Sequence, residues 1–523
     1  GHGDRLAAVL ADCEPACLLT DTASLDAVRT FGDDHGLTLP PVVPVDGLPY
    51  PFDGSRTAGP PGAGPSADTA PAPAPAPDDI AYLQYTSGST RSPAGVMITH
   101  ANVVANARQA IEAFHADADC STTVGWLPLF HDMGLVLSVA APVVGGFPTV
   151  LMDPVAFLEQ PSRWLRLLGS YPGTISAAPN FAFDYCAART DPGTAAGMRL
   201  HRVKALINGS EPVRPGTVDR FQRAFADAGL SPEAHCPSYG LAEATVFVTN
   251  DSPASPPGTV PCDPAALARG RVVAVDASDE SAAHLVGCGT PAGQRVRIAD
   301  PATGLPLPDG GIGEILVSGP NVGLGYWKRP EAGEGTFGVR LPGDSGSWLR
   351  TGDLGSLHEG QLLVIGRLKD LLIVDGRNHY PQDIEETVQS ALNCVRRDRL
   401  AAFSVPGDDR PGENGEQVIV VAEHRRDTEV TDLLRAAAAR AARAELSARH
   451  GLRLGRLLLV PPGAVPRTSS GKISRTACRA RFLQGLFAAE DPGESGAERA
   501  PGAEDGGYAG YAGESSAGRG AAR

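Results

Sequence analysis

The chain has 523 residues, 45 of them Lys or Arg and 60 Asp or Glu, for a formal charge of −15. Such a length calls for roughly two to four domains, and the negative balance argues against nucleic acid or an anionic membrane as the main partner. Nine cysteines without a CxxC pair exclude a disulfide framework and a zinc site of ordinary spacing, and point to a reducing cytoplasm.

In chain order, Leu6 to Leu10, Cys17 to Thr20 and Ser24 to Phe31 read as helix, strand and helix, an α/β beginning that starts partway through a domain. Arg56 to Pro77 is a Pro/Ala/Gly linker, extended and semi-rigid. Ile80 to Tyr85 and Val96 to Thr99 read as strands. Between them, the hydroxyl- and glycine-rich run Thr86-Ser87-Gly88-Ser89-Thr90 can curl N–H and hydroxyl donors around an anion, usually a phosphate. It is not a Walker loop, because the Gly-Lys-Ser/Thr ending is absent.

His100 to Phe114 reads as a helix, and the strand Val124 to Pro128 opens into Leu129 to Gly134. A His and an Asp there, His131 and Asp132, suit the mouth of an apolar pocket, with a turn-capping role for His131 as the plainer alternative. Leu135 to Met152 has membrane length but is broken by Pro142, Gly145, Gly146 and Pro148. A spanning helix needs about 20 uninterrupted apolar residues, so the run reads as a buried helix, a turn and a strand.

Gly173 to Ser176 reads as a strand, and Ala205 to Pro212 as a strand and turn. Pro215 to Ala228 is a helix stopped by Gly229, with Pro in its first turn. Pro237 to Thr245 is another strand end opening into polar residues, Asn250 to Leu285 an irregular insertion, and Arg295 to Ser318 alternates as strands. After Gly352 a smaller α/β unit follows. Its elements are the strand Leu371 to Val374, the helix Pro381 to Leu392, the strand Gln417 to Glu423, the helix Thr431 to His450 and the strand Leu457 to Val460. Past about Ala488 the Gly-, Ala-, Glu- and Ser-rich tail reads as disordered. Only Lys204, Lys328, Lys369 and Lys472 are lysines. In a chain that writes Arg for most surface cations, a retained Lys marks a place that needs a compact ammonium.

Five short blocks then stand in order: Thr86 to Thr90, Tyr239-Gly240-Leu241-Ala242-Glu243, Thr351-Gly352-Asp353, Gly366-Arg367-Leu368-Lys369-Asp370 and Ser470-Gly471-Lys472. Together they resemble the adenylate-forming superfamily of acyl and aryl ligases, adenylation domains and luciferases, from Leu83 to about Phe482. Pro128 to Gly134, Tyr239 to Thr245 and Gly376 to Glu385 look most like the fatty acyl-AMP ligases.

The resemblance implies an α/β fold: a large multi-subdomain N-terminal domain (1–367), a small mobile C-terminal lid domain (368–487) and a disordered tail (488–523). It implies ATP and Mg²⁺ as cofactors. Thr86, Ser87, Gly88, Ser89 and Thr90 would hold phosphates; Gly209, Ser210, Glu211, Tyr239 and Gly240 would line the nucleotide, with Tyr239 on adenine. Asp353 would accept the ribose hydroxyls with Arg367 assisting, and Glu243 would hold Mg²⁺. Lys472 would bridge the attacking carboxylate and the α-phosphate, His131 would sit near the acyl carboxylate, and Lys369 would be the hinge.

His131 follows Phe130 where an amino-acid-activating domain would place Asp, which disfavours amino acids and leaves a fatty acid as substrate. The implied acceptor is an acyl carrier protein or the carrier domain of a polyketide or nonribosomal synthase, with no stable membrane insertion. An acyl-CoA ligase and an inactive nucleotide-binding fragment are the alternatives. Two departures stand out. Arg91 and Ala94 replace the usual Gly and Lys of the phosphate loop, and the family pattern begins roughly a hundred residues further upstream.

Overall fold

The computed structural model describes residues 2–47, 74–86, 93–374, 376–406, 416–468 and 471–487. Its centre is a seven-stranded sheet in the spatial order Thr290–Pro291, Phe247–Asn250, His235–Gly240, Val203–Asn208, Thr174–Ala178, Thr122–Gly125, Thr149–Leu151. The last five strands run parallel, and the first two are antiparallel to their neighbours. Parallel strands covered on both faces are apolar on both, and Val203–Asn208 shows the division. Ala205 and Ile207 join a core with Phe114, Val136 and Leu137, while Leu206 faces a second core built on Trp164, Phe183, Phe221 and Phe225.

The helices that cover the sheet follow local signals. His100–Ala113 starts at a capping box in which Thr99 and Asn102 bond each other's backbone N–H groups. The apolar run after it is helical over Asp132–Leu135, widens to a π-helical stretch over Val136–Ala140 and returns to α over Ala141–Gly145. Pro142 has no N–H for the regular ladder, which accounts for the widening. Gly146, with φ of +71°, ends this helix ahead of the strand Thr149–Leu151, so the run is a buried helix, turn and strand. Among the described residues no helix is long and apolar enough to cross a membrane.

A four-stranded antiparallel sheet, Arg295–Ala299, Gly313–Ser318, Leu349–His358 and Gln361–Arg367, packs on the antiparallel edge of the central sheet through a core shared with Tyr239 and Val248. The insertion expected to be irregular is ordered instead. Thr259–Cys262 pairs with Ala283–Val286, and a short helix, Pro264–Ala268, lies between them. Cys262, Leu267 and Val272 are buried against Leu354, Leu363, Ile365 and Tyr380. The Pro, Gly and Asp content hid a hairpin whose few apolar residues are mostly turned inward.

The chain leaves the last strand of the antiparallel sheet through the 3₁₀ turn Leu368–Asp370 and enters a smaller unit. There Val395–Pro406 runs antiparallel to Glu416–His424, which runs parallel to Leu454–Val460. Val418, Val420 and Ala422 face helices Pro381–Ala391 and Asp432–His450, while Ile419 and Val421 face Phe403, Val460, Cys478 and Phe487. Both of these cores draw only on residues from Leu372 onward. Val395–Pro406 went unread in the sequence, because Arg396, Arg397 and Arg399 mask the alternation and a register shift falls between Val395 and Leu400. All nine cysteines are free thiols. Most of the Pro/Ala linker and the whole of 488–523 lie outside the described residues.

Candidate active site

The carboxyl ends of the parallel strands define a crevice, the place where open α/β sheets bind ligands. Val203–Asn208 delivers Gly209, Ser210 and Glu211; His235–Gly240 delivers Tyr239, Gly240 and Glu243; Thr122–Gly125 leads to His131 and Asp132. Two glycines are set by close backbone approach. A Cβ on Gly240 would lie 1.6 Å from the Val246 carbonyl oxygen, and one on Gly209 would lie 2.9 Å from that of Ser238. Ser210 and Thr245 hold positive φ of 73° and 68° although neither is glycine. Backbone strain of this kind persists where the surroundings over-determine it and clusters at functional sites. Here it flanks both Glu211 and Glu243.

Buried amides fix the first turn. Asn180 Nδ2 donates to the Pro212 carbonyl at 2.8 Å, and Asn180 Oδ1 accepts from Asn208 Nδ2 at 3.2 Å and from the Arg214 N–H at 3.3 Å. At the second, Tyr326 Oη donates to Glu243 Oε1 at 2.9 Å, and Thr245 Oγ1 donates to the Asn321 carbonyl at 2.7 Å. Burial raises the Glu243 carboxyl above its ordinary 4.5, against the backbone hydrogen bond and Tyr326, which lower it.

From the antiparallel sheet, Asp353 closes the crevice. Its Oδ2 accepts from Tyr239 Oη at 2.8 Å, and its Oδ1 lies 3.3 Å from Arg367 Nε across the strand pair. The Asp353 carboxylate holds the Arg367 guanidinium above its ordinary range. Burial pushes the Tyr239 phenol well up, and the neighbouring Asp353 charge adds to it.

Lys472 reaches this crevice from the smaller unit. It is half-buried; burial and Arg367 lower its ammonium pKa, while Glu211, Asp132 and Asp353 oppose that fall. Residues 132, 211 and 353, far apart in the chain, therefore all act on Lys472 here. His131 Nδ1 lies 2.6 Å from Asp132 Oδ1, and Asp132 also accepts from the Met133 N–H at 2.7 Å. Burial would raise the Asp132 carboxyl, but His131, the Met133 N–H and Lys472 carry it below its usual range. Lys369 sits in the turn joining the two units, and burial and Arg367 lower its pKa.

Of the phosphate-loop residues, Thr86 is held by its N–H to the Ala94 carbonyl at 3.2 Å and by Arg5 Nη2 on its own carbonyl at 3.1 Å. Ser87, Gly88, Ser89 and Thr90 lie outside the described residues, but the strands on either side, Ile80–Tyr85 and Gly95–Thr99, pair as the sequence suggested. Three polar partners escaped the sequence reading. Tyr326 supports Glu243. Arg475 binds Glu385 through two 2.7 Å hydrogen bonds and Asp370 at 3.3 Å. Arg214 on the larger body pairs with Asp398 on the smaller unit. Each lies at least 83 residues from a partner, so no local pattern announces it.

An open α/β sheet whose crevice is closed by an antiparallel sheet and by a lysine from a small C-terminal α/β unit is the two-domain architecture of an adenylate-forming ligase. Residues 2–327 match the family profile described as AMP-binding enzyme. Over 533 aligned residues the chain is 42% identical to the long-chain-fatty-acid–AMP ligase FadD32 of Mycolicibacterium smegmatis, covering 94% of this chain and 80% of that protein. A solved structure from a study of fatty acyl-adenylate ligases of E. coli and L. pneumophila superposes with a TM-score of 0.78 at 30% identity, over 93% of this chain and 82% of that one. The L. pneumophila ligase in complex with acyl adenylate and pyrophosphate superposes at 0.64 with 33% identity, over 92% and 80%. The chain belongs to the AMP-binding enzyme family and, within it, to the fatty acyl-AMP ligases.

Proposed function

We propose that this protein uses ATP to convert a fatty acid into its acyl-adenylate, releasing pyrophosphate, and then passes the acyl group to the phosphopantetheine thiol of a carrier protein. The observation that carries the reading is the position of Lys472, supplied by the small unit yet within the electrostatic reach of Arg367, Glu211, Asp132 and Asp353 of the large one. We take the units to divide at 367/368, with 368–487 acting as a lid.

In the first step a carboxylate oxygen attacks the α-phosphorus, and the bond to the pyrophosphate oxygen breaks. Negative charge gathers on the phosphoryl oxygens, so fixed cations and donors must already be aimed there. The Lys472 ammonium serves the attacking carboxylate and the α-phosphate. Thr86 and the hydroxyl loop after it serve the outer phosphates. Asp353 accepts from the ribose hydroxyls beside Arg367, and Tyr239, tied through its hydroxyl to Asp353, offers its ring to the adenine. Asp132 holds the His131 Nδ1 side and leaves the other ring nitrogen for the fatty carboxylate. Val136, Leu137 and Met133, all buried behind it, form an apolar wall suited to an alkyl chain.

Glu243 would hold Mg²⁺. Among the described residues no three His, Cys, Asp or Glu side chains cluster as a metal site. One carboxylate nonetheless fits Mg²⁺, which keeps several waters and takes its other ligands from substrate phosphates. Bound there, the ion would neutralise phosphate charge.

In the second step the lid turns about Lys369, the thiol sulfur attacks the acyl carbon, the bond to AMP breaks and the thiol proton passes to solvent. The ordered hairpin at 259–286 supports a carrier acceptor over free coenzyme A. Its Gly270 lies beside Asn378, with the Asn378 amide nitrogen 3.8 Å from where a Cβ would stand, so it abuts the lid at Arg377–His379. Mass spectrometry of the protein with a long-chain fatty acid, ATP, Mg²⁺, coenzyme A and a carrier protein tests the reading. Acyl-adenylate and acyl-carrier without acyl-CoA are expected; acyl-CoA as the main product would overturn the acceptor, and no adenylate the whole proposal.

A further inference from the structure

Besides the connecting turn Leu368–Asp370, the two units meet through an ion pair. Arg214 Nη1 contacts Asp398 Oδ1. Arg214 comes off the same turn as Glu211, at the start of helix Pro215–Phe225, and the Asn180 amide holds its backbone. That one short turn therefore bears on the lid twice: Arg214 contacts Asp398, and the charge of Glu211 acts on Lys472.

The lid side is built for the contact. Asp398 sits where the strand Val395–Pro406 loses register with its neighbour, and it holds a left-handed φ of 56°. A bulge re-aims a side chain out of the ladder, and here the backbone is pinned by a 2.5 Å hydrogen bond from the Asp398 N–H to Gln389 Oε1. Glu386, on the lid helix, adds a second negative charge that acts on Arg214. A strained residue, kept in place by a lid helix and pointed at a cation of the other body, has no role in the lid's own core.

We infer that Arg214 and Asp398 form a latch that positions the lid for adenylate formation and opens for acyl transfer. The inference rests on the two-step reading above. A rotation that takes Lys472 out of the crevice would also part Arg214 from Asp398, because Arg214 and Glu211, whose charge acts on Lys472, belong to one turn of the body. Arg214 and Asp398 are thus positioning residues: they bias the lid between two orientations and touch no reacting atom.

The test compares the wild type with Arg214→Gln, Asp398→Asn and the exchanged pair Arg214→Asp/Asp398→Arg. ATP–pyrophosphate exchange reads the first step, and transfer from supplied acyl-adenylate to a carrier thiol reads the second. Each single variant is expected to slow exchange by about fivefold, the scale of a partly exposed charge pair, through kcat with the KM for ATP unchanged. Transfer should stay at or above the wild-type rate, and the exchanged pair should recover exchange. Spin labels on body and lid should report longer separations in the single variants when saturated with nucleotide. Wild-type exchange in both single variants, or unchanged label distances, would overturn the latch. A wild type that itself forms no adenylate would remove the reading beneath it.

Discussion

At the residue scale the proposed chemistry turns on Lys472 and Glu243, whose pKa values burial moves away from their ordinary ranges. Lys472→Ala should abolish adenylate formation while ATP binding, measured by calorimetry, stays within a few-fold, since the other nucleotide contacts belong to the larger body. Glu243 predicts a pH dependence with a definite sign. Its carboxyl is raised above 4.5, so as pH falls from 7 it takes up a proton earlier than a solvated glutamate would. Because Mg²⁺ needs the carboxylate, the Mg²⁺ concentration for half-maximal exchange should climb as pH drops toward that raised value. Glu243→Gln should require high Mg²⁺ at every pH, and a titration of exchange rate against Mg²⁺ at several pH values decides it. Lys472, Asp353, Tyr239 and Glu243 were legible in the sequence because each stands in a three- to five-residue block with its own composition. Tyr326 was not, since its hydrogen bond to Glu243 spans 83 positions and nothing around it marks the hydroxyl as special.

At the element scale the turn Leu368–Asp370 is asymmetric. Arg475 fastens Asp370 to Glu385 on the lid helix, so on the proposed reading Asp370 would travel with the lid and rotation would fall on Lys369 and the residues before it. Arg475→Gln would leave two carboxylates with little solvent and no cation between them. It should destabilise the lid by about 3 kcal/mol, the scale of a broken buried pair, as read from denaturant melts. Lys369→Pro should spare exchange and block transfer, because a fixed φ removes the freedom on which the turn depends. Helices such as His100–Ala113 and Asp432–His450 were readable from caps and a terminal glycine. The hairpin at 259–286 and the strand Val395–Pro406 were not. One buries its few apolar residues against the body and the lid's Tyr380, and the other carries three arginines and a bulge. Their identity is fixed by what packs on them.

At the scale of the whole molecule, two sets of cores share almost nothing. Those of the body draw on residues before 368 and those of the lid on residues after 371, with Tyr380 the main exception among the described buried residues. Calorimetry should therefore resolve two unfolding transitions, and a non-hydrolysable acyl-adenylate analogue should raise both and draw them together, since it binds groups from each unit. The α/β class, with a large body and a small C-terminal unit, was implied by the resemblance. The separateness of the cores was not, because it depends on which apolar residues meet across the chain.

That separateness makes the enzyme divisible along a line evolution could use. His131 and the apolar wall behind it stand wholly in the body, while Lys472 stands wholly in the lid. On the proposed reading, choice of acid and delivery of the cation would thus be separable. A lid from a relative could then be exchanged for this one without retuning the acyl pocket, provided the newcomer carries an acid where Asp398 meets Arg214 and a lysine where Lys472 feels the charge of Glu211. What must co-vary across that graft is a handful of charges on one turn.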